Sequence, residues 1–247
     1  MINLSYGEGC ALPNTGRFVK MAEELVQKHG IIFVASAGNN GPALTTVGAP
    51  GGTSEAILGV AAYVSPEMME AEYSMCVNNS ENDDESIDDV KGTTYTWSSV
   101  GPASNGSTGV DITAPGAAIT CVPNWCLQKN TLMNGTSMSS PNATGCIALL
   151  LSAAKFEGIK ITPARMKQAL RNTASFIEGF SCLQQGRGMI QVQKAWDYLK
   201  ANKDDAYEDV SPYYPSLIYI TRTFFSLKLY VTSWHIGNLW SHNSWTS

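Results

Sequence analysis

Apolar residues in this chain fall partly in short unbroken runs and partly at a helical period. Ile2 to Tyr6 reads as a short strand, ended by Gly7. Across residues 17 to 29, Phe18, Met21, Ala22, Leu25 and Val26 recur at i, i+3, i+4, i+7 and i+8. That spacing predicts an amphipathic helix, with Gly30 as its stop. Ile31-Ile32-Phe33-Val34-Ala35 is apolar throughout, as in parallel strands buried on both faces. Strand, helix and strand in this order make one βαβ unit. A second buried strand is predicted near Ala56-Ile57-Leu58-Gly59-Val60-Ala61. A shorter one runs from Val110 to Thr113 and ends at Ala114-Pro115-Gly116. Residues 138 to 155, rich in Ala, Gly and Leu, predict a long helix. Thr162 and Pro163 are suited to the N-cap and first position of another. A short strand over Met189 to Val192 and a last helix around Ala195 to Leu199 complete the pattern. The sum is an α/β fold with a parallel sheet and helices on both faces.

Two segments break the pattern. Residues 78 to 91 carry almost no apolar side chain and read as a solvated insertion. Their acidic residues lack the spacing of an EF-hand calcium loop. After about residue 205 the composition changes, and from Pro215 onward there is no acidic residue. Trp234, Trp240 and Trp245 lie there, and Arg222 and Lys228 interrupt the apolar stretch. Residues 1 to 200 are therefore expected to form the domain, and 201 to 247 a tail outside it.

Charge and cysteines narrow the function classes. Net charge is -5 with pI near 5.2, and no basic cluster offers a footprint for nucleic acid. No run of about 18 apolar residues exists to span a bilayer. The six cysteines are scattered. Cys121 and Cys126 have no second Cys/His pair to complete a zinc site. The N-terminus shows no charged region followed by an apolar run, the mark of a signal peptide. Free thiols in a reducing cytoplasm follow, with the sequons such as Asn105 and Asn142 read as chance. No metal, cofactor, nucleic-acid or membrane partner is expected.

The segment that carries chemistry is Asn134-Gly135-Thr136-Ser137-Met138-Ser139-Ser140-Pro141. A serine hydroxyl is a poor nucleophile unless exposed, oriented and paired with a base. Gly135 permits a tight turn just before Ser137, and the long helix starts just after it. The free N–H groups and dipole of a helix N-terminus stabilise an oxyanion formed there. Pro141 is expected in the first turn, where a missing N–H costs nothing. A Gly-Thr-Ser before a helix is, by itself, more often a simple cap. A second segment, Ser36-Ala37-Gly38-Asn39-Asn40-Gly41-Pro42, follows a buried strand, where ligands bind in open α/β sheets. Asn39 there is either an oxyanion donor or part of an ordinary turn.

In order along the chain, Ile2-Asn3-Leu4-Ser5-Tyr6-Gly7, Ala37-Gly38-Asn39, Trp97-Ser98-Ser99-Val100-Gly101-Pro102, Ala114-Pro115-Gly116 and the Ser137 segment resemble the subtilase serine peptidases. Gly186 to Val192 resembles the family's closing segment, so the likeness covers about residues 2 to 200. Ser5-Tyr6-Gly7-Glu8, Val47 to Gly52, Ala62 to Met69 and Val122 to Trp125 are similar to the tripeptidyl-peptidase branch of that family. That branch acts in the cytoplasm on free peptide N-termini. The resemblance implies a subtilisin-like sheet, Ser137 as nucleophile and Asn39 as oxyanion donor. It implies that Ser5, Tyr6 and Gly7 pair with the substrate backbone. It further implies that Glu8 binds the substrate's amino group, and that the full-length relative is a homo-oligomer.

Subtilases place their triad in chain order Asp, His, Ser, so both partners belong upstream of Ser5. The family's histidine motif is absent, and His29, His235 and His242 do not occupy its place. The expectation is part of a peptidase domain without its N-terminal half, inactive alone. An ordinary subtilase endopeptidase fits less well, because of Glu8 and the free thiols. The other reading is a non-catalytic fragment that binds peptides or a partner chain.

Overall fold

A computed structural model describes residues 1–9, 12–73, 92–121, 125, 130–203, 219–223 and 226–230. The chain divides into two units, Met1–Tyr207 and Glu208–Ser247. In the second, Tyr219–Thr223 pairs antiparallel with Ser226–Tyr230.

In the first unit, strand β1 (Ile2–Leu4) is followed by helix α1 (Arg17–Gln27) and strand β2 (Phe33–Ser36). Then come β3 (Leu58–Val64), α2 (Pro66–Tyr73), β4 (Thr93–Thr94), β5 (Ile112–Pro115), β6 (Ala117–Cys121) and β7 (Asn130–Asn134). Helices α3 (Thr136–Phe156), α4 (Pro163–Thr173), α5 (Cys182–Gln185) and α6 (Val192–Ala201) close the domain. β1, β2, β3 and β5 lie side by side and parallel. β4 adds a short antiparallel pairing at the end of β3. β6 and β7 form a separate antiparallel pair.

The side-chain period of two sorts the sheet's residues between two layers. Val34, Leu58, Val60 and Ile112 pack with Ala143, Ile147 and Leu150 of α3, and with Met166, Leu170, Ala195 and Leu199. Phe33, Ala35 and Ile57 pack the other way, with Ala22 of α1 and the half-buried Ile2, Leu4 and Val26. β2 is buried along its whole length because both faces are covered. Each fully buried Ile or Leu contributes roughly 1.5–3 kcal/mol relative to exposure.

One buried charge fixes the sheet to α4. Asp111 Oδ2 accepts from the Gly59 N–H of β3 at 3.0 Å and meets Lys167 Nζ at 2.8 Å. Lys167 also donates to the Glu55 and Ile57 carbonyls, each at 3.0 Å. A buried carboxylate is tolerable on these terms, because its charge is paired and its lone pairs are used.

The structure departs from the pattern in four places. On α1 the core-facing residues are Val19 and Ala22, whereas Phe18 and Met21 are exposed. The apolar stripe is thus centred one residue later than the periodicity suggested. Met189 to Val192 is no strand. Met189 bridges Thr113 on one side and Ser175 on the other, and Val192 already opens α6. One residue of pairing is all that fits before the turn into the helix. α3 begins at Thr136, two residues before 138, and so takes Ser137 into its first turn. Pro141 is then its sixth residue, beyond the first turn. The acidic stretch from 78 to 91 lies outside the described residues.

Candidate active site

β1 presents its polar side to the start of α3. Ile2 and Leu4 face α1, so the alternation sends Asn3 and Ser5 toward the other layer. Asn3 Oδ1 accepts from the Ser140 hydroxyl at 2.5 Å and the Thr144 hydroxyl at 3.3 Å. Its amide nitrogen donates to Ser5 Oγ at 3.0 Å. The Ser5 hydroxyl in turn donates to the Ser137 carbonyl at 2.9 Å.

That carbonyl is free because of Pro141. In an α-helix the N–H of residue i bonds the carbonyl of i−4, and proline has no N–H. The partner that Ser137 loses inside the helix is replaced by Ser5 from the sheet. The Ser137 hydroxyl completes the pair by donating to the Ser5 carbonyl at 3.3 Å. Ser137 is partly exposed, at the open end of the sheet where β1 runs out. Its N–H belongs to the first turn, whose donors have no partner within the helix.

Asn39 stands on the loop after β2, and its orientation is set by Thr136. Asn39 Oδ1 accepts from the Thr136 N–H at 2.9 Å and from the Thr136 hydroxyl at 2.8 Å. With Oδ1 engaged, Nδ2 lies beside Gly135, 3.4 Å from where a Cβ would stand. The amide donor is therefore aimed at the turn that carries Ser137. Thr136 is buried and also accepts from the Gly38 N–H at 3.3 Å. Gly38 has φ +114, and a Cβ there would sit 2.6 Å from Ser99 Oγ. Only glycine fits that backbone without strain.

Behind this loop, Ser99 N–H donates to the Gly38 carbonyl at 2.9 Å, and Asn40 N–H to Ser99 Oγ at 3.0 Å. Gly41 N–H donates to the Trp97 carbonyl at 2.9 Å. The segment Trp97 to Ser99 is thus a clamp for the Asn39 loop. On the other flank Asn134 donates to the Tyr73 hydroxyl, which lies 3.3 Å from that of Tyr95. Burial, then the Tyr73 hydroxyl, raises the Tyr95 pKa, so this phenol stays neutral. Its ring stacks on Trp97 at 4.4 Å.

Ser5, Tyr6, Gly7 and Glu8 continue outward from β1, all exposed. Glu8 pairs antiparallel with Ala49, N–H to carbonyl at 2.9 Å and carbonyl from N–H at 2.7 Å. The Tyr6 hydroxyl donates to Glu8 Oε1. Hydrogen bonding and repulsion by that carboxylate raise the Tyr6 pKa.

The sequence singled out Ser137, Asn39 and the strand from Ser5 to Glu8, and these share one end of the sheet. It missed Thr136, which holds Asn39, and Asn3, which grips α3. A polar residue at every second position of an otherwise apolar strand was the available signal for Asn3. Among the described residues the one histidine is His29. It follows α1, which packs on the sheet face opposite α3. No group of three His, Cys, Asp or Glu among the described residues could hold a metal ion. No described helix is long and apolar enough to cross a membrane.

Residues 1–208 match the subtilase family. The chain is 48% identical over 235 residues to tripeptidyl-peptidase 2 of Arabidopsis thaliana, covering 94% of this chain and 16% of that protein. It is 51% identical over 206 residues to tripeptidyl-peptidase 2 of Oryza sativa subsp. japonica, covering 83% and 14%. Among solved structures, the crystal structure of tripeptidyl peptidase 2 superposes with a TM-score of 0.62 at 36% identity. That match covers 82% of this chain and 14% of the other. The chain thus spans about one sixth or less of the length of these relatives.

Proposed function

The chain belongs to the subtilase family, and from that premise we propose that it bears the nucleophile of a peptidase that releases tripeptides from free peptide N-termini. Ser137 Oγ attacks the scissile carbonyl and forms an acyl-enzyme. The Asn39 amide nitrogen and the first N–H groups of α3 receive the oxyanion. Peptide backbone lies along Ser5, Tyr6 and Gly7 as an added strand.

One observation carries the tripeptide reading. Ser137 bonds Ser5 in both directions, and Glu8 lies three residues further along the segment that continues β1. Extended chain advances roughly 3.3–3.6 Å per residue. A peptide laid beside that segment with its scissile bond at Ser137 brings its α-ammonium to Glu8 after three residues, about 10 Å away. Glu8 then acts as the end stop of a ruler. The relatives' name, tripeptidyl-peptidase 2, agrees with this register.

The Ser137 proton needs a base, which in this family is a histidine oriented by an aspartate. His29 is on the wrong face of the sheet, so the reading assigns the base to a residue beyond the described ones. Peptide substrates with free amines and the free thiols of Cys146 and Cys182 suit a cytoplasmic setting.

The test is a chimera joining this chain to the preceding part of the Arabidopsis relative's peptidase domain. Given an unblocked decapeptide, it should release tripeptides sequentially, and Ser137→Ala should abolish release. Internal cleavage, or release of single residues or dipeptides, would reject the proposal.

A further inference from the structure

Tyr6 and Glu8 form a contact that stability does not explain. The Tyr6 hydroxyl meets the Glu8 carboxylate, so these two side chains lie together, while Ser5 points at α3 through its bond to the Ser137 carbonyl. Gly7 between them lets the chain pass close to its neighbour, since a Cβ there would lie 3.1 Å from the Ala49 carbonyl oxygen. Tyr6 is 58% exposed, and Glu8 is exposed as well. A hydrogen bond between two such side chains competes with water and adds little to folding.

Its consequence is geometric. A free glutamate samples many rotamers and loses that freedom on binding a ligand. The Tyr6 phenol takes one carboxylate oxygen, Oε1, and so restricts the rotation of the group. Oε2 remains open to a donor. The exposed ring beside it offers a π-face, which also attracts a cation. The hydrogen bond to Glu8, and then repulsion between a phenolate and that carboxylate, raise the Tyr6 pKa and keep it in its donor form. The main chain at Glu8 is itself pinned by both bonds to Ala49, so the carboxylate's position has few remaining degrees of freedom.

Resting on the peptidase reading above, we propose that Tyr6 is a positioning residue: its hydroxyl holds the Glu8 carboxylate in the one orientation that receives the α-ammonium of a three-residue peptide. Tyr6 thereby sets the preference for a free over a capped amino end, without touching the reacting atoms. An ammonium could come from the peptide terminus or from a lysine side chain, and the register distinguishes them. A lysine ammonium sits several bonds out from the backbone and misses the end of the ruler.

The test uses the 247-residue chain and calorimetric titration with three peptides: trialanine amide, its N-acetyl form, and N-acetyl-lysyl-dialanine amide. Wild type should bind the free amine about tenfold tighter than either acetylated peptide, the weight of one charge-assisted hydrogen bond. In Tyr6→Phe the ratio of affinities between the free amine and N-acetyl trialanine amide should shrink to about threefold or less. An equal loss of affinity for both, with the ratio kept, would mark a structural defect and reject a positioning role. Glu8→Gln should erase the preference entirely. If Tyr6→Phe keeps the full preference while Glu8→Gln loses it, the Tyr6 proposal fails and the role of Glu8 stands. If wild type shows no preference, or binds none of the three peptides, the role of Glu8 fails and Tyr6 falls with it. Equal binding of the lysyl peptide and the free amine would mean that the pair recognises any ammonium, and the proposed selection for a terminus would be wrong.

Discussion

Ser5 and Ser137 hydrogen-bond each other in both directions, hydroxyl to carbonyl at 2.9 Å and 3.3 Å, although they are 132 residues apart. The link exists because Pro141 cannot supply the helical N–H that the Ser137 carbonyl would otherwise receive. A proline inside α3 therefore ties Ser137 to the segment that continues β1. With an N–H at 141 the Ser137 carbonyl would be taken within the helix, and the Ser5 hydroxyl would lose that acceptor.

The two effects should couple. Ser5→Ala should destabilise the domain by about 1 kcal/mol, the net value of one hydrogen bond whose acceptor is left unpaired. Pro141→Ala restores an N–H that competes for the same carbonyl. In that background Ser5→Ala should cost roughly 0.5 kcal/mol less or better, a coupling that a double-mutant cycle isolates. Urea unfolding of the four proteins measures it. Strict additivity would show that Ser5 and the missing helix bond are independent.

The proposed function gives Asn39 two tasks on two atoms, and substitution can separate them. Oδ1 secures Thr136, whereas Nδ2 faces the Ser137 turn. Asn39→Asp keeps the acceptor and removes the donor. In the chimera with a complete peptidase domain, it should lower kcat about 10²–10³-fold, the loss seen on removing one oxyanion donor from a subtilase. Its melting temperature should change little. Thr136→Val should lower both stability and kcat, and Thr136→Ser should restore both. Equal melting losses in Asn39→Asp and Thr136→Val would refute the division of labour.

Much of this arrangement was legible in the sequence, for reasons that differ by element. β2 and β3 are buried on both faces, so their unbroken apolar runs located them to within a few residues. The Ser137 turn was marked by a glycine before a helix, and the Asn39 loop by its place after a buried strand. Thr162 caps α4 through its hydroxyl at 3.2 Å from the Arg165 N–H, as its position before Pro163 implied. The β6–β7 hairpin gave no such signal, because Ile119, Leu132 and Met133 are exposed and no alternation marks a buried face. The start of α3 was set too late because Thr136 and Ser137 are poor helix formers. The bonds of Thr136 to Asn39, not propensity, decide that boundary. The role of Pro141 depends on Ser5, which is adjacent only in the folded chain.

Glu55 gives a pH dependence with a definite sign. Burial, partly offset by the Asn14 amide 3.3 Å from its carboxylate, raises its pKa above 4.5. The folded state thus favours the protonated form. The stability this adds is fully present below the unfolded value of 4.5, and it is lost as pH rises through the higher folded value. Glu55→Gln keeps the bond from Asn14 and removes the charge. It should therefore raise the melting temperature at pH 7, with the gain vanishing below about pH 4. A variant less stable than wild type at pH 7 would contradict the burial argument.

The reactivity of Ser137 reports whether a base is beside it. In the isolated chain its hydroxyl donates to the Ser5 carbonyl, which cannot take the proton away. A serine so placed keeps its proton at neutral pH and is a weak nucleophile. The proposed oxyanion donors alone would not change this, because they would act only after attack has begun. Under the proposed function the base lies beyond the described residues; loss of the histidine from a subtilase triad costs about 2 × 10⁶ in kcat, so without that base reaction with a fluorophosphonate should fall by a comparable order. The 247-residue chain should therefore show no labelling of Ser137 in an hour by intact-mass measurement. The chimera that supplies the preceding part of the domain should label fully within minutes at a single site, and Ser137→Ala should remove that site. Unfolded chain serves as the reference for an unactivated serine. Rapid labelling of Ser137 in the isolated chain, faster than in that reference, would mean that one of its own residues acts as the base. His29, His235 and His242 would then have to be replaced one at a time to find which.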